Sequence, residues 1–509
     1  MKDLSRRASL LILALFVLAS LVTVLRHEMW RDEFEPWLVA KNNPTLAGLY
    51  QAIRYEKHPV AWYLVLYLIT RLTSAPLSLQ LLHVALASLS AWLVLRYAPF
   101  RLHQKVLLIF GYYLFFEYNI ISRNYALGIL SLFLFCVFYT RRRGKPLLWG
   151  TCLFVLANTS IYGLMLALSA GAAAGLDIIA TKALRKKWTS YAALSLLVLG
   201  VILHLLCLAP VPDSSLDRVA ARHTSFSPDL LSRVLHLLPK SYFQLPRFAF
   251  QFWNTNVLDR AAPVLLVNLG LALAIVVFAV ALLRRHRSAL VFLALSSVGI
   301  LGWSYYGVIG FARHYGHLFV AFIAALWLTA QPAECVAEEG GERKRPDIRP
   351  KFLLAALSVL FAIQCLAGLY AAGMDILYPF SRAKETATFI KKRGYQDLPI
   401  VGEMDYLMLP VSGYLGRNIY FVRGERIGSY VKWDMKRFQD VRPEHILTRA
   451  EQFAWRKQKD CLILLNFTLD SRWEQPGRLV KLLSTGPAIV ASEAYRLYLW
   501  KYTGPPAAQ

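Results

Sequence analysis

Apolar stretches of about 17–25 residues, the length that crosses a bilayer core, recur along the first three quarters of this chain. They lie near 9–25, 77–97, 104–120, 125–140, 146–159, 161–180, 189–209, 261–283, 288–309, 314–331 and 351–372. A soluble multidomain protein is excluded by the surface such a chain would present. Of 509 residues, 57% are hydrophobic and 17% charged, and mean hydropathy is +0.42. The expected fold is mainly α: a polytopic transmembrane helical bundle of about 11 spans with a C-terminal extracytoplasmic α/β domain.

The charge distribution orients the bundle. Net charge is +26, which in a soluble chain would suggest nucleic-acid binding. Here the basic residues cluster between apolar runs, at Arg6-Arg7, Arg141 to Lys145, Arg185 to Lys187, Arg284 to Arg287 and Arg343 to Lys351. Counting spans from a cytoplasmic N-terminus puts each of these clusters on the same side, as the positive-inside rule requires. That arrangement accounts for the charge without nucleic acid. It predicts a multi-pass membrane protein, N-terminus cytoplasmic and C-terminal domain extracytoplasmic. No small-residue cleavage site follows the first apolar run, which reads as a retained helix. Five of the six cysteines lie in or beside apolar segments, Cys461 stands alone in the tail, and no metal-type CxxC spacing occurs.

Residues 1–372 form the expected membrane domain and 373–509 the extracytoplasmic domain. Two extracytoplasmic loops interrupt the former, at 26–76 and 210–260. In the first, Glu33 to Lys41 and Pro44 to Glu56 read as short helices, and His58 to Thr73 as a re-entrant or surface-lying helix too short to span. In the tail, PIVGEM, NIYFVR, CLILLNF and YRLYLWKY read as strands alternating with helices at 382–393 and 445–458. Gly413 to Gly416 and Gly424 to Ser429 read as turns.

Polar residues that need a reason gather at the outer junctions. In HEMWRDEFEPW, Asp32 and Glu33 follow the first span, flanked by Trp30 and Trp37. Near hydrocarbon a carboxylate loses solvation and its pKa tends to rise, which suits a base. The same pair also suits a helix start, where negative charge meets the positive dipole end. In EKHPVAWYL, Glu56 and His58 are able to share a divalent metal or hold a hydroxyl acceptor, or simply to end a solvated helix. Trp62 and Tyr63 follow them. Arg123, and Arg313 with His314, sit at two further outer junctions. Arginine there runs against the charge bias, and an anionic partner explains it: a lipid headgroup or a bound substrate phosphate. Glu117 lies inside a span, where an ionisable group faces a cavity or a partner.

The order of these pieces resembles the GT-C glycosyltransferases, the group that includes protein O-mannosyltransferases and bacterial lipid A aminoarabinose transferases. An acidic pair directly after the first helix, here WRDE, is that group's shared feature. The EKHPVAWYL stretch is similar to the later part of its first loop, and SRNYALG to its third-to-fourth helix junction. The likeness covers residues 1 to about 140 through motifs, and 140 to 372 through helix count. This chain departs from the group in carrying Arg123-Asn124 where many relatives have a second acid, leaving Glu117 as the nearby carboxylate.

The resemblance implies an inverting transfer of sugar from a polyprenyl-phosphate donor to a hydroxyl on the extracytoplasmic face. Asp32 and Glu33 would be the catalytic acids, with Asp32 as base. Arg123, Arg313 and His314 would bind donor phosphate, and Glu56 and His58 the acceptor or a metal. Trp30, Trp62 and Tyr63 would pack on sugar or lipid. The implied partners are the donor, the bilayer, and a glycan, lipid or protein acceptor; a divalent metal is compatible, and no other cofactor is indicated. A multipass transporter or lipid flippase is the alternative. It predicts polar residues spread through mid-membrane helices. A non-catalytic assembly partner, a third reading, predicts that the outer acids are exchangeable.

Overall fold

A computed structural model describes residues 2–141, 145–219, 226–261, 264–307, 309–330, 350–438, 441–473 and 475–504. The basic residues Arg142, Arg143 and those from Arg343 to Arg349 lie outside them. The chain opens with α1 (Lys2–Arg26), then three helices of the first loop: α2 (Arg31–Asn42), α3 (Leu46–Glu56) and α4 (Val60–Leu72). The bundle continues with α5 (Leu77–Tyr97), α6 (Leu102–Ile109), a π-helix (Tyr112–Ile120), α7 (Tyr125–Arg141), α8 (Pro146–Ala157) and α9 (Ile161–Ala180). After a short α10 (Lys182–Arg185) come α11 (Trp188–Cys207), α12 (Ser215–Val219) and α13 (Pro228–Tyr242). Four long helices, α14 (Leu265–Leu283), α15 (Arg287–Tyr306), α16 (Ala312–Leu328) and α17 (Lys351–Leu377), complete it.

Seven of these helices are long and apolar enough to cross a membrane: α1, α5, α9, α11, α14, α15 and α17. The other four expected spans fall short of that length as single helices, for local reasons. The segment 104–120 breaks at Phe110-Gly111, where α17 packs so closely that a Cβ on Gly368 would stand 2.5 Å from Phe110 O. Its second half then winds as a π-helix, a rare form that recurs at functional sites. The helix α8 stops at Asn158, whose side-chain amide turns back to Phe154 O and across to Gly200 O. The helices α7 and α16 have 17 residues each, and α16 is buried almost throughout, so neighbours rather than lipid cover it. Conversely α17 runs five residues past its expected end at 372, carrying Asp375 to the first loop.

The tail follows as α18 (Ala383–Lys392), β1 (Ile400–Gly402), α19 (Asp405–Leu415), β2 (Ile419–Phe421), β3 (Arg426–Gly428), α20 (Pro443–Lys457), β4 (Cys461–Leu465), β5 (Leu479–Ser484) and β6 (Arg496–Trp500). The sheet order is β3-β2-β1-β4-β6-β5, with β2, β1 and β4 parallel and the outer pairings antiparallel. Residues of α18 and α19 pack on one face, and those of α20 on the other. The central β4 is therefore buried along its whole length, as a parallel strand covered on both sides must be. The four expected strands form; β3, β5 and α19 had no clear signal. The stretch expected to turn at Gly424 to Ser429 turns at Gly424 (φ +84°) and then forms β3.

The tail docks on the first loop. Gly413 of α19 lies against Phe34 of α2, so close that a Cβ there would be 2.3 Å from the ring. Met29 N–H donates to Tyr414 Oη at 2.8 Å, and Val431 N–H to Glu35 Oε1 at 2.9 Å. Loop 210–260 joins in, through Met435 N–H to Asp213 O and Ser215 N–H to Trp433 O, both 2.8 Å.

Candidate active site

The helix α2 starts at Arg31 because Glu33, three residues past Trp30, accepts the Trp30 N–H at 3.1 Å. That is the reaching-back half of a capping box. The first turn consequently sends Asp32 and Glu33 in different directions.

Asp32 meets three guanidinium groups. Arg123 Nη1 lies 2.7 Å from Oδ2, Arg313 Nη2 3.1 Å from the same oxygen, and Arg31 Nε 3.8 Å from Oδ1. Its side chain keeps 25% of its exposure, against 9% for Arg313. Burial raises the carboxyl pKa, but Arg123, Arg313 and Arg31 together outweigh burial and hold it below the ordinary carboxylate value. One carboxylate among three guanidinium groups leaves the cluster cationic. Arg31 shares its charge with the tail, at 3.8 Å from Glu493 and 2.8 Å from Ser492 Oγ.

Arg313 is held by aromatic faces, with Cζ 5.4 Å from the Trp30 ring, 5.7 Å from Trp253 and 4.7 Å from Phe311. Its Nε and Nη1 are buried and have no hydrogen-bond partner among the described residues. Unmet donors on a buried guanidinium are costly, and a planar fork of this kind is matched by phosphate or carboxylate oxygens. The indole nitrogens of Trp30 and Trp62, Ser122 Oγ and Glu117 Oε1 are likewise buried and unmet. Glu117 Oε2, on the π-helix, accepts from Tyr112 Oη at 3.0 Å and Trp253 Nε1 at 3.1 Å.

Glu33 turns the other way and is fully buried. Its Oε1 accepts the Ser122 N–H at 2.6 Å, and its Oε2 lies 2.9 Å from His27 Nε2. His27 Nδ1 in turn lies 2.8 Å from Asp375 Oδ2. Glu33, expected as the second catalytic acid, is thus committed to the protein's own groups.

The two expected acceptor or metal residues part company. His58 stands by Arg123 and Asp32; burial and then the Arg123 charge push its pKa down to about 4, so its imidazole is neutral near pH 7. Glu56 interacts instead with Glu35 as a buried carboxyl pair beside the Val431 amide. Burial pushes Glu56 up to about 8 despite Arg123, Arg426 and Arg437, and burial with the Glu56 charge raises Glu35 well above its usual value. Among the described residues no group of three or more His, Cys, Asp or Glu is placed to hold a metal. His58 and its guanidinium neighbours are moreover a poor seat for a cation.

His314 stacks on Tyr162 at 5.2 Å, with His317 on the same ring at 5.0 Å, and Nδ1 accepts the Phe311 N–H at 3.1 Å. Trp62 and Tyr63, expected to contact sugar or lipid, are instead buried in the core formed by α2, α3 and α4. Trp30 does line the Asp32 cluster. Sequence reasoning missed Arg31, Glu35, His27, Trp253 and Asp375 as members of this region.

No protein-family model and no curated protein matches the sequence. Solved structures similar to the chain include ArnT from Cupriavidus metallidurans bound to undecaprenyl phosphate, and the same protein in its apo state. Each has 13% identity and a TM-score of 0.49, over 98% of this chain and 99% of that one.

The junctions that build the cluster all lie at one end of the bundle. Ser122 N–H bonds Glu33, Asn124 Nδ2 bonds Thr159 O at 2.6 Å, and Ala61 N–H bonds Asn158 O at 3.2 Å. In the seven long apolar helices the Asp, Glu, Lys and Arg residues sit toward the ends rather than midway. The arrangement offers a carboxylate, a cationic anion-binding cradle and aromatic walls beneath the tail.

Proposed function

We propose that this protein is a membrane glycosyltransferase of the GT-C type, moving a sugar from a polyprenyl-phosphate donor to an acceptor hydroxyl on the extracytoplasmic face with inversion. The observation that carries this reading is the Asp32 carboxylate clamped by Arg123 and Arg313, with two Arg313 donors unmet. The donor class follows from the resemblance of WRDE, EKHPVAWYL and SRNYALG to that group. The transporter alternative gains nothing from long apolar helices whose Asp, Glu, Lys and Arg residues avoid the middle.

In this mechanism the donor phosphate takes the unmet Arg313 donors and shares Arg123 with Asp32. An incoming anion offsets the guanidinium charge that depresses Asp32, so donor binding raises the basicity of this carboxylate. Asp32 then accepts the acceptor hydroxyl proton as its oxygen bonds to the anomeric carbon. The bond from that carbon to the phosphate oxygen breaks on the opposite side, and the guanidinium groups neutralise the departing phosphate. His58 and His314, neighbours of the two arginines, are placed to orient donor or acceptor oxygens. Glu56, with Glu35, lies on the tail side, where an acceptor glycan, lipid or protein would approach.

The test is transfer or slow hydrolysis of radiolabelled polyprenyl-phosphate sugars by wild type and Asp32→Asn, with thermal unfolding as control. Turnover by wild type and its loss in a well-folded Asp32→Asn are expected. Undiminished turnover in that variant would remove Asp32 as base. Absence of both donor binding and turnover in wild type would shift the reading to transport.

A further inference from the structure

His27 is fully enclosed, and each ring nitrogen faces a carboxylate from a different element: Glu33 of α2 at 2.9 Å and Asp375 of α17 at 2.8 Å. Ionised carboxylates only accept, so both ring nitrogens must donate, and an imidazole that donates twice is an imidazolium. Around it, the Phe380 ring stands at 4.7 Å and the α5 residue Gln80 donates to the His27 carbonyl at 3.4 Å. The adjacent Glu28 also interacts electrostatically with it.

Both oxygens of Glu33 lead on to Asp32. Through Oε1, Glu33 fixes the Ser122 amide; the next residue, Arg123, bonds His83 Nε2 through its own amide at 2.9 Å and Asp32 through its guanidinium at 2.7 Å. Through Oε2, Glu33 caps the first turn that presents Asp32.

We propose that His27 is a positioning residue of the Asp32 site: clamped between Glu33 and Asp375, it ties the end of the spanning helix α17 to the turn carrying Asp32 and to the junction carrying Arg123. This rests on the reading of that site as the donor site. It makes the geometry of base and guanidinium depend on a charged ring that touches neither substrate. Removing one member of a buried charge network leaves the others uncompensated. Here those others are the two carboxylates that hold α2 and α17 together.

The linkage sign is set by the carboxylates. Burial lowers the His27 pKa, but Asp375 and Glu33 outweigh it and the net shift is well upward. The clamp is complete below the unfolded value near 6.5 and is lost as pH rises through the raised folded value.

The experiment compares full-length wild type, His27→Gln and Asp375→Asn in nanodiscs. Histidine nitrogen NMR, with His27→Gln for assignment, is expected to show both ring nitrogens protonated at pH 8; a neutral ring there overturns the proposal. Hydrogen exchange should quicken at least tenfold at the Ser122 amide in His27→Gln, and unchanged exchange would also overturn it. With donor, kcat should fall at least tenfold at an unchanged KM, and the alkaline limb of the wild-type kcat profile should disappear. An unaltered profile and kcat in the folded variant reduces His27 to a structural staple. If wild type neither binds nor turns over any donor, the glycosyltransferase reading fails, and the NMR and exchange results still decide the clamp.

Discussion

The Arg313 guanidinium reaches Asp32 Oδ2 at 3.1 Å while lying against Trp30, Trp253 and Phe311, so one edge bonds the carboxylate and the aromatic walls fix its plane. Lysine at this position would keep the charge but lose the fork and the stacking. Arg313→Lys should therefore fold, retain a cation near Asp32, and bind a polyprenyl phosphate at least tenfold more weakly. That is about 1.4 kcal/mol, the worth of one good hydrogen bond to a charged group. Equilibrium binding of the lipid phosphate to detergent-solubilised protein measures it, and unchanged affinity would place the phosphate elsewhere.

The contact between Gly413 and Phe34 makes docking of the tail testable. Alanine is favoured over glycine in a helix by about 1 kcal/mol, whereas overpacking a tight contact costs about 1–3 kcal/mol. With 2.3 Å available to the new Cβ and Phe34 fully buried, the clash should win. Gly413→Ala should lower the thermal midpoint and speed proteolytic release of the tail. Phe34→Leu in the same chain should recover part of the loss. A Gly413→Ala protein as stable and protease-resistant as wild type would mean that α19 and α2 are not tightly packed.

The pieces legible in the sequence are those whose signal is local. Continuous apolar runs located the bundle segments, and WRDE marked the turn at Asp32, because a tryptophan-flanked acidic pair after a span has few uses. The short spans were harder: the break at Phe110-Gly111 lies where Gly368, some 250 residues away in sequence, packs against it, and hydropathy has no term for it. Glu33 looked like the partner of Asp32 because adjacency suggests shared work, yet helix geometry turns neighbours about 100° apart. Its true partners are the Ser122 amide and His27, and His27 meets Asp375 only once α1 and α17 pack side by side. Trp62 and Tyr63 are ambiguous for the opposite reason, since an aromatic in the first loop suits a ligand wall and a loop core equally well. Glu35 sits in FEPWL, surrounded by apolar residues that give no hint of the second carboxyl it meets in α3.

Glu56 and His58, two residues apart, should pull stability in opposite directions with pH. Glu56, raised to about 8, binds its proton more tightly in the folded state, so its stabilising effect is full below about 4.5 and is lost as pH rises toward 8. His58, lowered to about 4, resists the proton that the unfolded chain accepts near 6.5, so the folded state weakens as pH falls from there toward 4. Glu56→Gln should accordingly raise the thermal midpoint at pH 8.5 and leave it nearly unchanged at pH 4.5. His58→Asn should narrow the loss between pH 6.5 and 4.5 and do little at pH 8.5. Thermal unfolding of the three proteins across this range is the measurement. A Glu56→Gln gain that is equal at both ends would show that the side-chain swap itself, and not the buried charge shared with Glu35, sets the effect. If instead His58→Asn changes only the alkaline side, the imidazole is charged in the native state and the guanidinium groups of Arg123 and Arg313 do not face it.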